Sequence, residues 1–295
     1  MSGPLLAIRG KLERMTDAGF TAATYNILAD AYVRPDRYPF SSSEALAPGP
    51  RRALLLARIA ALDVDLLCLQ EVEPAAHAAI ADRLGDAYIA LHAPRHRRPD
   101  GASLFLRRAR LDLDHHETLH YTARGSDDQL ALIAHLRLGP RRLIVANTHL
   151  QWCRDDTPTD SHVGRAQLLE LLARRTPDDP TWLIAGDLNA TSQSCVLRSA
   201  ADHGLALGAA KQRPWDTCNA NRRPRKLDYL LYTSGHLDPH PDPLAALRRD
   251  TPMPSLVEPS DHLPLRIRFD LVAWSGAAQN GDISTTSSFI STARS

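Results

Sequence analysis

"LIAGDLNATSQ", residues 183–193, runs through Leu183, Ile184, Ala185 and Gly186 and then stops on Asp187 and Asn189. A short apolar segment closing on Gly reads as a strand buried on both faces, as inside an α/β sandwich. Asp187 and Asn189 stand two apart, so in extended chain their side chains point to the same side of the sheet. A carboxylate and an amide would then meet at a strand's carboxyl end, where open α/β sheets place their ligands. The same Asp-Leu-Asn would equally begin a turn and cap the next helix. The rest of the chain decides between these readings.

Strand-like runs recur on both sides: "TAATYNIL" (21–28), "VDLLCLQEV" (64–72), "AYIALH" (87–92), "ASLFLRR" (102–108), "QLALIAHLRL" (129–138), "RRLIVANTHL" (141–150), "TWLIAGDL" (181–188), "KLDYLLY" (226–232) and "PLRIRFDL" (264–271). Helical spacing falls between some of them. Leu54, Leu55, Arg58, Ile59 and Leu62 follow Pro50, and "EPAAHAAIADRLG" (73–85) has Pro74 near its start and Gly85 at its end. "SHVGRAQLLELLARR" (161–175) groups Leu168, Leu169, Leu171 and Leu172, and "SCVLRSAADHG" (194–204) ends on Gly204. Between about 86 and 150 strands follow one another without helices, which predicts antiparallel pairing there. The expected fold is one α/β domain, two packed mixed β-sheets flanked by helices in a four-layer α/β sandwich. It spans 20–271, with an N-terminal extension at 1–19 and a flexible Ser/Thr-rich tail at 272–295.

The 295 residues suffice for a large core, and 43% hydrophobic with 23% charged residues is ordinary for a soluble enzyme. No apolar run reaches membrane-spanning length, and the N-terminus lacks a signal-peptide core, so a cytoplasmic protein without a membrane partner is expected. Cys68, Cys153, Cys195 and Cys218 are scattered without a CxxC pair, which argues against a disulfide framework or a zinc site. Net charge is +1, yet 32 of the 35 basic residues are Arg. Two Arg clusters stand out, "PRHRRPDG" (94–101) and "NRRPRKLD" (221–228). Solvated surface is their default reading, and Arg also suits bidentate phosphate contacts.

What distinguishes the chain is how its strands end. Asn26 interrupts "TAATYNIL"; "DLLCLQEV" closes on Gln70 and Glu71; "LIVANTHLQW" closes on Asn147, Thr148 and His149. Asp228 opens "DYLLY", and Asp261 and His262 precede the last strand. Each has a dull explanation as a turn, a cap or a satisfied core group. Six such stops, all amide, carboxylate or imidazole, need partners, and one metal ion with one phosphate would supply them together. Oxygen donors without thiolates favour a hard cation such as Mg²⁺, and an Asp-His pair beside it suits metal-assisted phosphoester hydrolysis.

"TYNILADAY", "DLLCLQEVE", "ANTHLQW", "IAGDLNAT", "KLDYLLY" and "PSDHLPL" together resemble, in order, the motifs of the endonuclease/exonuclease/phosphatase superfamily. Within it they look most like the branch of the poly(A) deadenylases, nocturnin, the Angel proteins and 2′-phosphodiesterase. "YPF" (38–40) and "MPSLVEPSDH" lean toward the last two. The resemblance implies Glu71 as the main metal ligand, with Asn26 and Asp261 close to the metal. It implies Asp187 as general base, Asn189 holding the nucleophile and a phosphate oxygen, and His262 on the scissile phosphate, oriented by Asp228. His149 would be a further phosphate contact, with Asn147 beside it. The metal would be Mg²⁺, with Mn²⁺ as the alternative.

One departure concerns the substrate. Deadenylase-like members carry Thr-Asn and then an aromatic that stacks on the base, whereas this chain reads "DTCNANRRPRKLDY" (216–229). Thr217 is in place, Cys218 follows it, Asn219 is displaced by one, and Arg222, Arg223 and Arg225 stand where the aromatic would be. The expectation is a Mg²⁺-dependent phosphodiesterase or nuclease that hydrolyses RNA or oligonucleotides, with arginines contacting phosphate. It includes exonuclease, 2′-phosphodiesterase-like and 2′,3′-cyclic-phosphate-end activities. The alternatives are a hydrolase of another phosphoester (abasic DNA, an inositol phosphate or a sphingolipid) and an inactive binding module. Retention of Glu71, Asp187, Asn189, Asp228 and His262 argues against the last.

Overall fold

Twelve strands form two six-stranded sheets in the computed structural model, which describes residues 19–272 except 155, 177–179 and 210–215. The segments expected as extension (1–19) and tail (272–295) lie, apart from Gly19 and Val272, outside the described residues. The first sheet holds β1 (Gly19–Asn26), β2 (Leu66–Val72), β3 (Tyr88–Pro94), β4 (Gly101–Arg107), β11 (Leu237–Pro241) and β12 (Leu265–Leu271), ordered β11-β12-β1-β2-β4-β3. The second holds β5 (Asp112–His120), β6 (Leu130–Leu138), β7 (Arg141–His149), β8 (Thr181–Asp187), β9 (Leu205–Leu207) and β10 (Asp228–Thr233), ordered β5-β6-β7-β8-β10-β9.

Each sheet has a parallel pair at its centre, β1 with β2 and β7 with β8, and its other pairings are antiparallel. A parallel pair needs a crossover, and helices supply it. β1 reaches β2 through the single turn α1 (Ser43–Leu46) and α2 (Pro48–Leu62), and β7 reaches β8 through α4 (Val163–Leu172). α3 (Pro74–Leu84) and α5 (Cys195–Asp202) complete the helical layers. The inner faces bury Leu66, Leu104, Leu132, Val145, Leu183, Ile267 and Phe269 in one core. α2 lays Leu55, Ile59 and Leu62 on the outer face of the first sheet, while α4 and α5 cover the second with Leu168, Leu171 and Val196. Burying each such side chain contributes about 1.5–3 kcal/mol. The four layers are as expected. Among the described residues no helix is long and apolar enough to cross a membrane.

All nine strand-like runs are strands, and β5, β9 and β11 come in addition. β5, "DLDHHETLH", is an edge strand with mostly exposed side chains, His115 and His116 among them, so it carries no apolar run. β11 contains Pro239 and Pro241, which an edge strand tolerates because one side needs no ladder donor.

Polar side chains tie the sheets together. Asn147 Nδ2 donates to Leu69 O (2.9 Å) and Ser103 O (2.8 Å), and its Oδ1 accepts from Gln70 Nε2 (2.7 Å). Its expected place beside a phosphate is therefore corrected: the side chain is fully buried and all its polar atoms bridge the sheets.

Candidate active site

The carboxyl ends of both parallel pairs open at the same end of the sandwich. β1 and β2 deliver Asn26 and Glu71; β7 and β8 deliver His149 and Asp187. The antiparallel neighbours begin there, with Asp228 first in β10 and His262 three residues before β12.

Gly186 explains how Asp187 reaches its position. A Cβ on Gly186 would meet Thr148 O at 1.7 Å, so only glycine lets β8 pass this close to β7. The strand then ends. Asn189 has φ +47°, and its N–H donates to Asp187 Oδ1 at 2.9 Å, closing an Asx turn. Extended alternation across 187–189 is thus corrected: the turn, and not a shared strand face, brings both side chains to the site. Asn189 Nδ2 donates to Leu150 O (3.0 Å) and lies 3.0 Å from His149 Nε2.

Glu71 is placed by a bulge. It has φ +56°, and the β2–β4 register shifts between Gln70 and Val72. The extra residue re-aims one side chain: Gln70 points into the inter-sheet layer, while Glu71 Oε1 accepts from Asn26 Nδ2 (3.0 Å) and Oε2 from Ala29 N–H (3.2 Å). The same Asn26 nitrogen donates to Asp187 Oδ2 at 3.1 Å, and Asn26 Oδ1 is taken by Leu28 N–H at 3.1 Å. Asn26 was expected near the metal. Its oxygen is turned to its own loop, and its amide instead links the two acids.

Asp187 and Asp228 are direct partners across β8 and β10, so their side chains share a face. His262 stands between them, with Nδ1 2.8 Å from Asp228 Oδ2 and Nε2 3.7 Å from Asp187 Oδ2. Asp228 Oδ2 also accepts from Thr217 Oγ1 at 2.6 Å. Ser260 Oγ donates to Asn26 O (2.7 Å) and accepts from His262 N–H (3.1 Å), which fixes the loop to β1. Asp261 Oδ2 accepts from Tyr38 Oη at 3.2 Å. His149 places Nε2 3.6 Å from Asp187 Oδ2 and Nδ1 3.3 Å from an Arg95 nitrogen.

The electrostatics follow from burial and crowding. Burial alone would lower His262, but Asp228 and Asp187 outweigh it and hold the imidazole well above its ordinary range. Burial, then the Arg95 charge, keeps His149 well below its own. Burial pushes Asp187 up to about 7 against the opposing pull of His262. Burial and then Asp261 raise Glu71. Asp228 Oδ1 is buried without a partner. Crowded acids and an orphaned oxygen are what a bound cation would relieve. The donors suit a hard one: carboxylates dominate, and burial pushes the neighbouring Cys218 thiol up to about 11, so no thiolate is offered. Asp187, Asp228 and His262 bring donor atoms within 4.8 Å of one another, as do Cys218, Asp261 and His262.

The arginines are placed differently. Arg222 and Arg223 are exposed and Arg225 is half-buried, on the loop between Thr217 and β10. Arg222 lines a crevice with Arg37, Tyr38, Phe40, Asn219 and Arg249; Arg223 and Arg225 line a wider concavity with Trp152. Among the described residues no side chain of the three hydrogen-bonds to Glu71, Asp187, Asp228 or His262.

Sequence reasoning did not assign roles to Thr217, Tyr38, Arg95 and Ser260. Arg95 lay in a cluster read as surface, yet its side chain is 6% exposed between His149 and Asp100. Thr217, Tyr38 and Ser260 stood in quoted motifs and Arg95 in an Arg cluster, but nothing local showed which group each would meet.

Two sheets thus present carboxylates, amides and imidazoles together at one end of a four-layer sandwich. The chain belongs to the Endonuclease/Exonuclease/phosphatase family, whose sequence model matches residues 23–262. It is similar to the CCR4-Not complex 3′-5′-exoribonuclease subunit Ccr4 of Coccidioides immitis (strain RS), 32% identical over 167 residues, 46% of this chain and 22% of that protein. It is also similar to human (Homo sapiens) 2′,5′-phosphodiesterase 12, 25% identical over 217 residues, 59% of this chain and 34% of that protein. The chain thus matches about a fifth to a third of the length of these relatives. In fold it is similar to ANGEL2, described as a 2′,3′-cyclic phosphatase and solved with adenosine-2′,3′-vanadate. The TM-score is 0.74 at 21% identity, covering 86% of this chain and 96% of that one.

Proposed function

We propose that the chain is a divalent-metal-dependent phosphoesterase that hydrolyses RNA or oligonucleotide phosphodiesters. Mg²⁺ is the metal its oxygen donors suit, with Mn²⁺ as the alternative. The observation that carries the reading is the Asp228–His262 pair facing Asp187, with Asn26 linking Asp187 to Glu71. The family and the names of the relatives support RNA as the substrate class.

Glu71 and Asp261 would hold the metal, which neutralises phosphate charge when bound. Asp187 takes a proton from the attacking water, and its elevation by burial toward neutrality makes it basic enough to do so. Asn189, fixed by Leu150 O, orients that water or a phosphate oxygen. His262 stays protonated against Asp228 and stabilises charge on the phosphoryl oxygens. Neutral His149 contributes a further phosphate contact, and Arg222, Arg223 and Arg225 meet the flanking backbone.

The test is incubation with 5′-labelled RNAs ending in hydroxyl, 3′-phosphate, 2′,3′-cyclic phosphate or a 2′-5′ linkage, each with and without Mg²⁺, beside a DNA twin. Metal-dependent loss of at least one RNA end is expected, and Asp187→Ala should abolish it. Equal turnover without metal, or activity that survives Asp187→Ala, defeats the assignment.

A further inference from the structure

Trp152 is 52% exposed, whereas Trp182 is buried at 2%. It stands three residues beyond His149, on the segment leaving β7. That segment is anchored beside the ring: Leu150 N–H donates to Asp187 O (3.0 Å), and Gln151 N–H donates to Gln167 Oε1 (2.8 Å). Trp152 lines a concavity of about 440 Å³ with Arg154, Asp156, Arg223 and Arg225. Arg154 is held by Asp156 through two contacts of 3.0 Å, while Arg223 and Arg225 have no acidic partner among the described residues. Among the described residues its lining therefore carries surplus positive charge beside an uncovered aromatic.

Its other wall is tied to the catalytic imidazole. Arg225 exchanges backbone hydrogen bonds with Cys218 (2.9 and 3.0 Å), and Cys218 bridges to His262. One wall thus continues from His149 and the other from His262, so the concavity adjoins the cluster that would act on phosphorus. A flat ring for a base and two guanidiniums for phosphates are what a single-stranded polynucleotide requires.

We propose that Trp152, Arg223 and Arg225 form a subsite for single-stranded RNA. The base flanking the scissile phosphate stacks on Trp152, and the two arginines contact the adjoining phosphates. The proposal rests on the phosphodiesterase reading above and deepens it. It also revises the expectation from the sequence alone: the aromatic missing from 216–229 is supplied by another loop. Stacking on an open ring accepts any base, so the subsite fixes position on the strand rather than sequence.

Fluorescence anisotropy of a labelled short RNA tests this on full-length protein carrying Asp187→Asn to suppress cleavage. Adding Trp152→Ala should weaken binding about fivefold to 100-fold, and Trp152→Tyr should restore most of it. Replacing the flanking nucleotide with an abasic ribose should cost the Trp152 protein as much, yet leave the Trp152→Ala protein unchanged. Arg223→Gln with Arg225→Gln should reduce the salt slope by about 1.4. Binding that ignores both Trp152 and the abasic change overturns the subsite, even if RNA is cleaved. Trp152-dependent binding without RNA cleavage upholds the subsite and removes the functional reading instead.

Discussion

His262 owes its charge to Asp228, whose Oδ2 it contacts at 2.8 Å, and its orientation to the Thr217 hydroxyl bound to the same oxygen. Asp228→Asn keeps the shape but removes the negative charge that outweighs burial at the imidazole. Its kcat on RNA should fall roughly 10²–10⁴-fold, with an unchanged circular dichroism spectrum; a loss below threefold would show that Asp228 does not set the state of His262. At this scale the sequence was informative where a polar residue ended an apolar run, as at Asn26, Glu71, Asp187 and Asp228. It misled at Asn147, because an amide at a strand end looks the same whether it faces a ligand or a second sheet. It gave no role to Arg95 or Ser260, because the contacts that place them against the site, Arg95 with His149 and Ser260 with Asn26 O, join residues far apart in the chain.

β8 reaches the site only because Gly186 lets it pass Thr148. Gly186→Ala should cost about 1–3 kcal/mol or more by overpacking and should lower activity further by displacing Asp187; urea midpoints and RNA turnover measure both. Beneath α3, His77 and His92 stack with centroids 4.8 Å apart, and their Nδ1 atoms lie 3.1 and 3.0 Å from Ser103 Oγ. Burial, then the His92 charge, lowers His77 to about 4, and burial lowers His92. Both rings are thus neutral when folded but protonate near pH 6.5, to a rough figure, once unfolded. Their contribution is complete above that pH and is lost as pH falls toward 4. His77→Gln should therefore show a shallower loss of stability between pH 6.5 and 4 in urea titrations; an equal slope would mean the pair is not linked to unfolding. The helices over these sheets were legible from apolar spacing and Pro or Gly ends, whereas β5 and β11 were not, because edge strands need neither a continuous apolar run nor every ladder donor.

Across the molecule, the first sheet supplies Asn26 and Glu71 and the second supplies His149, Asp187 and Asp228, so the site exists only while the sheets stay in register. Asn147 is a second polar link between them, beside the Asn26–Asp187 contact. Asn147→Ala would remove the side-chain donor to Leu69 O and Ser103 O and one of the three acceptors of Gln70 Nε2 in the buried layer, costing at least about 2 kcal/mol. Activity should decline in parallel with the thermal transition; full stability in that variant would mean the link is dispensable. The layered class could be read from the order of runs and helices, but the pairing of sheets could not, since it depends on contacts between residues such as Asn147 and Leu69 that lie far apart in the chain. Antiparallel pairing of β1 with β12 sets Gly19 opposite Asp270. Seven steps along β1 at about 3.3 Å each put that point about 23 Å from Asn26. The two points where the chain enters and leaves the described domain therefore lie side by side at the pole remote from the candidate site.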